Sequence, residues 1–552
     1  MRVSTFGRAL SAVAALSFVF VPSAAAQARR GPAAWRLEST DLSIEIYPGP
    51  GRLKGEARLT LAAAGAGTET IGLGLNDELA VSSVTDSSGQ AVPFERAGAS
   101  LTIRPSGQAR SLVLCVRYEG AFTKRDRDVG FYQAWIGSGL AYGLSGAWYP
   151  APEGGPDRSR GSISYLVPRG WVVAGVGRLI RESETPEGRR FDFAVSTPIG
   201  YSFAAGPYRF ARRGVDGIDM GAFVLGGDPG KPEFYLDNCA RVITFLREYY
   251  GAFRDDSFSL VEIPQELLGS AGGGGWEGFV FFPPALMPEG YFFASAFAHE
   301  IGHMFWGGID SGDGVIISEG LAQVSMGLYL ERAFGERAFR TMLKNGSQEQ
   351  LLSHSARLYF HSLQAPLTGA VGAALGTIGP GEDLHLGVFV PSKRNTLHTL
   401  ANSKGWFVFT MLRDLVGGEA FRAGLRGAMS RYAGKPLTLA GLRAEFETAA
   451  GLDLKWFFDQ WFFRTGAPEF ALDWSAVSKG TGWLVKGRVR QTRDIYRVTA
   501  EIAFRGSGAR EIKTIAISAA ETAFSFLLSF KPDEAFFDPD YKILRWTEEF
   551  KE

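Results

Sequence analysis

The residues best suited to chemistry sit in one run, Phe297-Ala298-His299-Glu300-Ile301-Gly302-His303-Met304-Phe305-Trp306. It contains H-E-x-x-H in an apolar context that reads as helical. Residues four apart share a helix face, so His299 and His303 present two imidazoles to one metal ion. Glu300, one step round, reaches a water bound to that metal. Catalytic zinc takes three protein ligands and keeps one position open. The candidate third ligand is Glu319 in Ile317-Ser318-Glu319-Gly320-Leu321-Ala322-Gln323, which opens a second helix whose apolar face runs on through Ala322, Met326 and Leu330. Between the two helices, residues 307–314 form a glycine-rich connector suited to a tight turn-back. Asp310 and Asp313 in that connector are rival ligands, but they read more simply as solvated loop residues or partners of a ligand histidine. The chemistry implied is attack on a carbonyl by a metal-activated water, with Glu300 as general base.

These residues must be positioned by the rest of a chain of 552 residues. At about 150 residues per domain, that length predicts three or four domains. With 45% hydrophobic and 13% aromatic residues, it can bury sizeable cores, which excludes intrinsic disorder. The 58 basic and 58 acidic side chains cancel, which excludes the broad positive footprint of a nucleic-acid binder. Two cysteines exclude a disulfide framework or a Cys-rich metal module. All 6 histidines fall between His299 and His398, so imidazole chemistry is confined to the middle of the chain. His354, His361 and His385 lack ligand spacing and read as structural or exposed.

Residues 1–26 have the layout of a secretory signal peptide: Arg2 and Arg8, an apolar stretch from Ala9 to Val21, then Ala24-Ala25-Ala26. The apolar part falls short of a membrane span, and no later apolar run is long enough to cross. The expectation is a mildly acidic product exported to the periplasm or the medium. From Trp35 to about Arg209 the pattern has period two, with Leu42, Ile44 and Ile46 alternating with Ser43 and Glu45. That reads as a large antiparallel β domain. From about Pro232 to Phe463 helical periodicity takes over, beginning with Tyr235 to Tyr250. After Gly466-Ala467-Pro468 the alternation returns, with Val498, Ala500 and Ile502 on one face. The expected architecture is multidomain α+β: an N-terminal β domain over 27–225, a mostly helical catalytic domain over 226–467, and a β-sandwich over 468–552.

At this point the sequence resembles a known family. H-E-x-x-H followed by S-E-G-x-A is the signature of gluzincin metallopeptidases of the aminopeptidase N type. Ala147-Trp148-Tyr149-Pro150 looks like part of that family's N-terminal saddle, Phe457-Phe458-Asp459-Gln460-Trp461 like a helix closing its thermolysin-like catalytic domain, and Phe537-Asp538-Pro539-Asp540 like the close of its following β-sandwich. The resemblance implies a peptide substrate and one zinc ion held by His299, His303 and Glu319.

Three departures stand out. Residues 304–318 make a shorter stretch between the second His and Glu319 than that family has, which reads as a trimmed hairpin. The family's G-x-M-E-N loop, whose Glu holds the substrate amine, corresponds loosely to the stretch from Gly272 to Phe279, with Glu277 as the candidate anchor. The family's Y-x-K-G tyrosine is replaced by Asn402 in Asn402-Ser403-Lys404-Gly405, with His398 four residues earlier. His398 or Asn402 is then expected to supply the oxyanion donor. The resulting expectation is an exported, aminopeptidase-like zinc metallopeptidase. The alternative is a zinc-retaining, catalytically silent protein that binds peptides.

Overall fold

The computed structural model describes residues 35–551, apart from 64–69, 106–109, 127–129, 145, 147, 154–156, 252, 270–272, 285–290, 307–309, 312–314, 347–354 and 365–382. The expected signal peptide, His354 and Asp313 lie outside the described residues, as does the side chain of Asp310. The chain divides into two compact units, the first ending at Gly308 and the second running from Ile309 to Glu552. No helix among the described residues is long and apolar enough to cross a membrane.

In the first unit, strands β1 (Trp35–Tyr47), β2 (Arg52–Ala63), β3 (Leu79–Asp86), β4 (Ser111–Ala121), β5 (Ser159–Val167), β6 (Arg178–Thr185) and β7 (Gly188–Ile199) form one sheet in the order β6-β7-β5-β1-β2-β4-β3. Leu42 faces Ala57 across the antiparallel β1–β2 pair, and Leu42, Ile44, Ile46, Leu59 and Leu61 are buried, as the period-two pattern predicts. Two four-stranded sheets complete this β-rich part. Trp148 is fully buried there and donates from its indole to the carbonyl of Tyr201 at 3.0 Å. Cys115 and Cys239 are both free, so no bridge joins them, and burial pushes the Cys239 thiol well above its usual range.

A five-stranded sheet in this unit contains β8 (Arg209–Val215), β9 (Ile218–Val224), β10 (Ser257–Glu262), β11 (Gly274–Trp276) and β12 (Phe279–Phe282), in the order β8-β9-β10-β12-β11. It runs across residue 225, because β9 pairs in parallel with β10. Residues 209–224 are therefore hydrogen-bonded into the same sheet as the segment that follows. Helix α1 (Lys231–Tyr250) buries Tyr235, Leu236, Cys239, Val242, Ile243 and Leu246 on one face. Helix α2 (Tyr291–Trp306) packs on it: Phe297 meets Tyr235 edge-on at 6.1 Å, and Tyr250 lies 5.2 Å from Trp306.

In the second unit, α3 (Val315–Phe334) is buried along nearly its whole length. It is followed by α4 (Glu336–Asn345), α5 (Ala356–Gln364) and α6 (Arg394–Leu400). A π-helical turn over Ala401–Gly405 links α6 directly to α7 (Trp406–Val416). Three glycines allow α3 to pack flush against this composite helix. A Cβ at Gly320 would lie 3.1 Å from the Phe409 ring, one at Gly327 2.8 Å from Trp406, and one at Gly405 2.7 Å from Ile316.

After α8 (Gly418–Arg431), α9 (Leu439–Ala450) and α10 (Lys455–Trp461), two three-stranded sheets build the expected β-sandwich. These are β13 (Phe470–Lys479), β14 (Gly482–Gln491) and β17 (Glu521–Leu528), and β15 (Val498–Gly506), β16 (Ala509–Ile517) and β18 (Glu534–Phe537). The sandwich is joined to the helices: Trp461 meets Tyr496 at a tilt, ring centroids 4.9 Å apart, and Gln460 donates to the carbonyl of Arg497. Beyond β18, buried Asp538 accepts from the backbone N–H groups of Lys542 and Ile543 and from Arg545. That turn directs the last residues onto α5. There Phe360 meets Trp546 at 4.5 Å and Phe550 at 5.3 Å, Gln364 donates to the carbonyl of Phe550, and Lys344 pairs with Glu549.

Candidate metal centre

Helix α2 carries the first half of the site. His299 and His303 are 2% exposed and Glu300 is fully buried, so the apolar run that surrounds them in sequence surrounds them in space. The two imidazoles stand edge to face, with ring centroids 4.7 Å apart and an interplanar angle of 85°. Their Nε2 atoms are 3.1 Å apart. Two nitrogens each about 2.0–2.1 Å from a tetrahedral zinc ion would be roughly 3.3 Å apart. The spacing is therefore that of two ligands aimed at one point.

Glu300 is bounded by β11, the edge strand of its sheet. A Cβ at Gly275 would lie 2.8 Å from the Glu300 carbonyl oxygen and 3.1 Å from its Oε2. Only a residue without a side chain fits there while the carboxylate keeps its place. The sequence reading did not single out Gly275. Its only signal was membership in the run Gly272 to Gly275.

Glu277 lies two residues further on, in the turn before β12. Its Oε1 pairs with Arg158 at 2.5 Å and Arg254 at 3.0 Å, and its Oε2 accepts from the N–H of Gly200 at 2.9 Å. Two guanidiniums neutralise the carboxylate and it holds the turn in place. Its contacts do not support the expected role of holding a substrate amine.

The second half of the site is built on α3 and the π-helical turn. Glu319 is 3% exposed. Its Oε2 lies 3.3 Å from Asn402 Nδ2 and 3.3 Å from His398 Nε2. Helix α6 does extend back to His398, so the two alternative candidates for the oxyanion donor lie side by side, 3.4 Å apart. Both face the carboxylate of Glu319. The turn that presents them is fastened from its other side. Lys404 is fully buried, donates to the carbonyls of Arg464 at 3.0 Å and Gly466 at 3.1 Å, and sits over the Tyr359 ring. Burial pushes its ammonium down to about 8, with Asp383 opposing the shift. Backbone carbonyls thus hold Lys404 away from the carboxylates of the site. Of the other histidines, His361 lies half-buried on α5 and His385 is exposed.

The ligand atoms of His299, His303 and Glu319 all lie within 4.8 Å of one another, and all three residues are buried. Two imidazoles and one carboxylate are the protein donor set of a catalytic zinc site. The residues therefore fit one zinc ion. Glu319 belongs to the ligand set although the stretch from 304 to 318 is short. Residues 310 and 311 in that connector pair with Pro436–Leu437 as a two-stranded ribbon.

No protein-family model and no curated protein matches this chain. Solved structures do. An M1 zinc metallopeptidase from Deinococcus radiodurans superposes with a TM-score of 0.62 at 17% identity, over 79% of this chain and 95% of that one. A mutant of the Deinococcus radiodurans enzyme bound to a Tyr-Ser-Ala substrate gives 0.60, at 17% identity, over 78% and 94%. Legionella pneumophila aminopeptidase A, in complex with aspartic acid, gives 0.68 at 15% identity, and the match covers 95% of this chain and 61% of that one. With its β-rich amino-terminal part, helical middle region and closing β-sandwich, this chain has the fold of the M1 zinc metallopeptidases.

Proposed function

We propose that the protein is an exported zinc metallopeptidase of the aminopeptidase type that hydrolyses peptide bonds. The observation that carries this reading is the convergence of His299, His303 and Glu319 with Glu300 buried one residue from the first ligand. Zinc bound there would polarise a peptide carbonyl and bring the pKa of water towards 7. Glu300 takes the proton from the attacking water and returns it to the leaving amine. The closed surroundings of α2 keep that carboxylate out of bulk solvent, where its proton transfers would be less directed. Export is supported by the basic, apolar and small-residue succession of residues 1–26.

Metal analysis of the purified chain tests the reading, together with hydrolysis of aminoacyl amides and internally quenched peptides. One zinc per chain and hydrolysis abolished by a chelator and restored by zinc are the expected results. Zinc without hydrolysis of any peptide would favour the silent peptide-binding alternative, and absence of zinc would defeat both.

A second expectation arises from the edge strand. The Gly275→Ala variant forces either β11 or Glu300 to move by several tenths of an ångström. Misplacing a reacting group by about 1 Å can cost about 10²-fold in rate. Gly275→Ala is expected to lower kcat/KM by about 10- to 100-fold while zinc content stays at the parent value. Loss of zinc together with activity would show that the methyl group disturbs α2 as a whole instead.

A further inference from the structure

We propose that Asn402, with His398, positions the Glu319 carboxylate for the metal and does not donate to the reaction's oxyanion. The inference rests on the reading of the site as a zinc centre. It follows from counting donors. An amide nitrogen carries two hydrogens. On Asn402, one is directed at Glu319 Oε2, 3.3 Å away, and the other at the ring of His398, 3.4 Å away. His398 Nε2 is itself 3.3 Å from the same Oε2. Asn402 Nδ2 lies 3.4 Å from both ring nitrogens of His398, so the amide sits against the imidazole while Nε2 lies beside the carboxylate. The three groups thus lie in mutual contact, with Asn402 and His398 both beside the same carboxylate oxygen.

The orientation of the amide is dictated by this set. Turning it over would press Oδ1 against a carboxylate oxygen, two acceptors with no hydrogen between them. What Asn402 has left is Oδ1, which is buried without a hydrogen-bond partner among the described residues. An acceptor has the wrong polarity to stabilise a developing oxyanion. Two groups held against Oε2 fix that oxygen, and fixing one oxygen of a carboxylate fixes the direction of the other. Outer partners of this kind set ligand orientation and typically account for 10- to 100-fold in metal affinity.

The rest of the turn is built to hold this set still. Asn402 is 1% exposed, Ser403 donates to the carbonyl of Thr399 at 2.6 Å, and Gly405 brings the turn against Ile316, one helical turn from Glu319. Single π-helical turns inside α-helices are common at functional sites. Here the turn aims Asn402 at a ligand of the metal.

The test is the zinc dissociation constant of the full chain, measured by competition with a chromophoric chelator. Asn402→Leu keeps the size and removes the donors. His398→Ala acts at a position that is 17% exposed and so less enclosed than Asn402. Both are expected to bind zinc about 10- to 100-fold more weakly, with melting of the metal-free protein unchanged. If Asn402→Leu does not fold, His398→Ala carries the measurement. Affinities within twofold of the parent, accompanied by a 10²- to 10³-fold loss of turnover, would overturn the proposal and restore the oxyanion role. A parent chain that binds no zinc would remove the zinc reading, and this inference with it.

Discussion

Replacing Glu300 by Gln is expected to lower turnover by about 10²- to 10⁴-fold, the usual contribution of a positioned general base. Zinc affinity should stay near the parent value. The amide keeps the shape of the carboxylate in a fully buried position, but it cannot take a proton from water near neutral pH. The measurement is kcat on an internally quenched peptide beside zinc content per chain. Unchanged turnover would remove Glu300 from the mechanism. Equal loss of zinc and turnover would make it a structural support of α2.

The second large effect is expected at Glu319. Glu319→Gln preserves volume and side-chain length, yet it replaces the only anionic ligand by a neutral amide. Removing an outer partner costs about 10- to 100-fold in affinity. Loss of a direct ligand should exceed that, and we expect at least about 10³-fold. Turnover should disappear at zinc concentrations that saturate the parent. Because the metal stabilises only the folded chain, the rise in melting temperature that zinc gives the parent should vanish in this variant. A variant that still binds zinc tightly would transfer the third-ligand role to another residue.

The parts of this site that were legible in the sequence are those governed by short-range geometry. His299, Glu300 and His303 depend only on the repeat of one helix, and Glu319 lies just beyond a glycine-rich connector. The outer β-strands were legible for a related reason, since Leu42, Ile44 and Ile46 alternate between a buried and a solvated face. The sheet beside the site has no such alternation of burial in its inner strands. Ser257–Glu262 and Phe279–Phe282 are buried at every position, so no polar face marks them as strands within a region of helical periodicity. Long-range facts were illegible. Asn402 meets Glu319 across 83 positions, and a π-helical turn has no residue pattern of its own. The commitment of Glu277 to Arg158 and Arg254 required the fold to bring three separate segments together.

One contact described above also sets a timetable. The carbonyl of Phe550 that receives Gln364 is 186 positions further along the chain. At about 5–20 residues per second, a ribosome takes roughly 10–40 s to cover that distance. Throughout that interval Phe360 has no Trp546 or Phe550 to cover it. The unit that carries Glu319 and Asn402 therefore finishes its packing only after Phe550 has been made, and until then the nascent chain must be kept from aggregating through that ring.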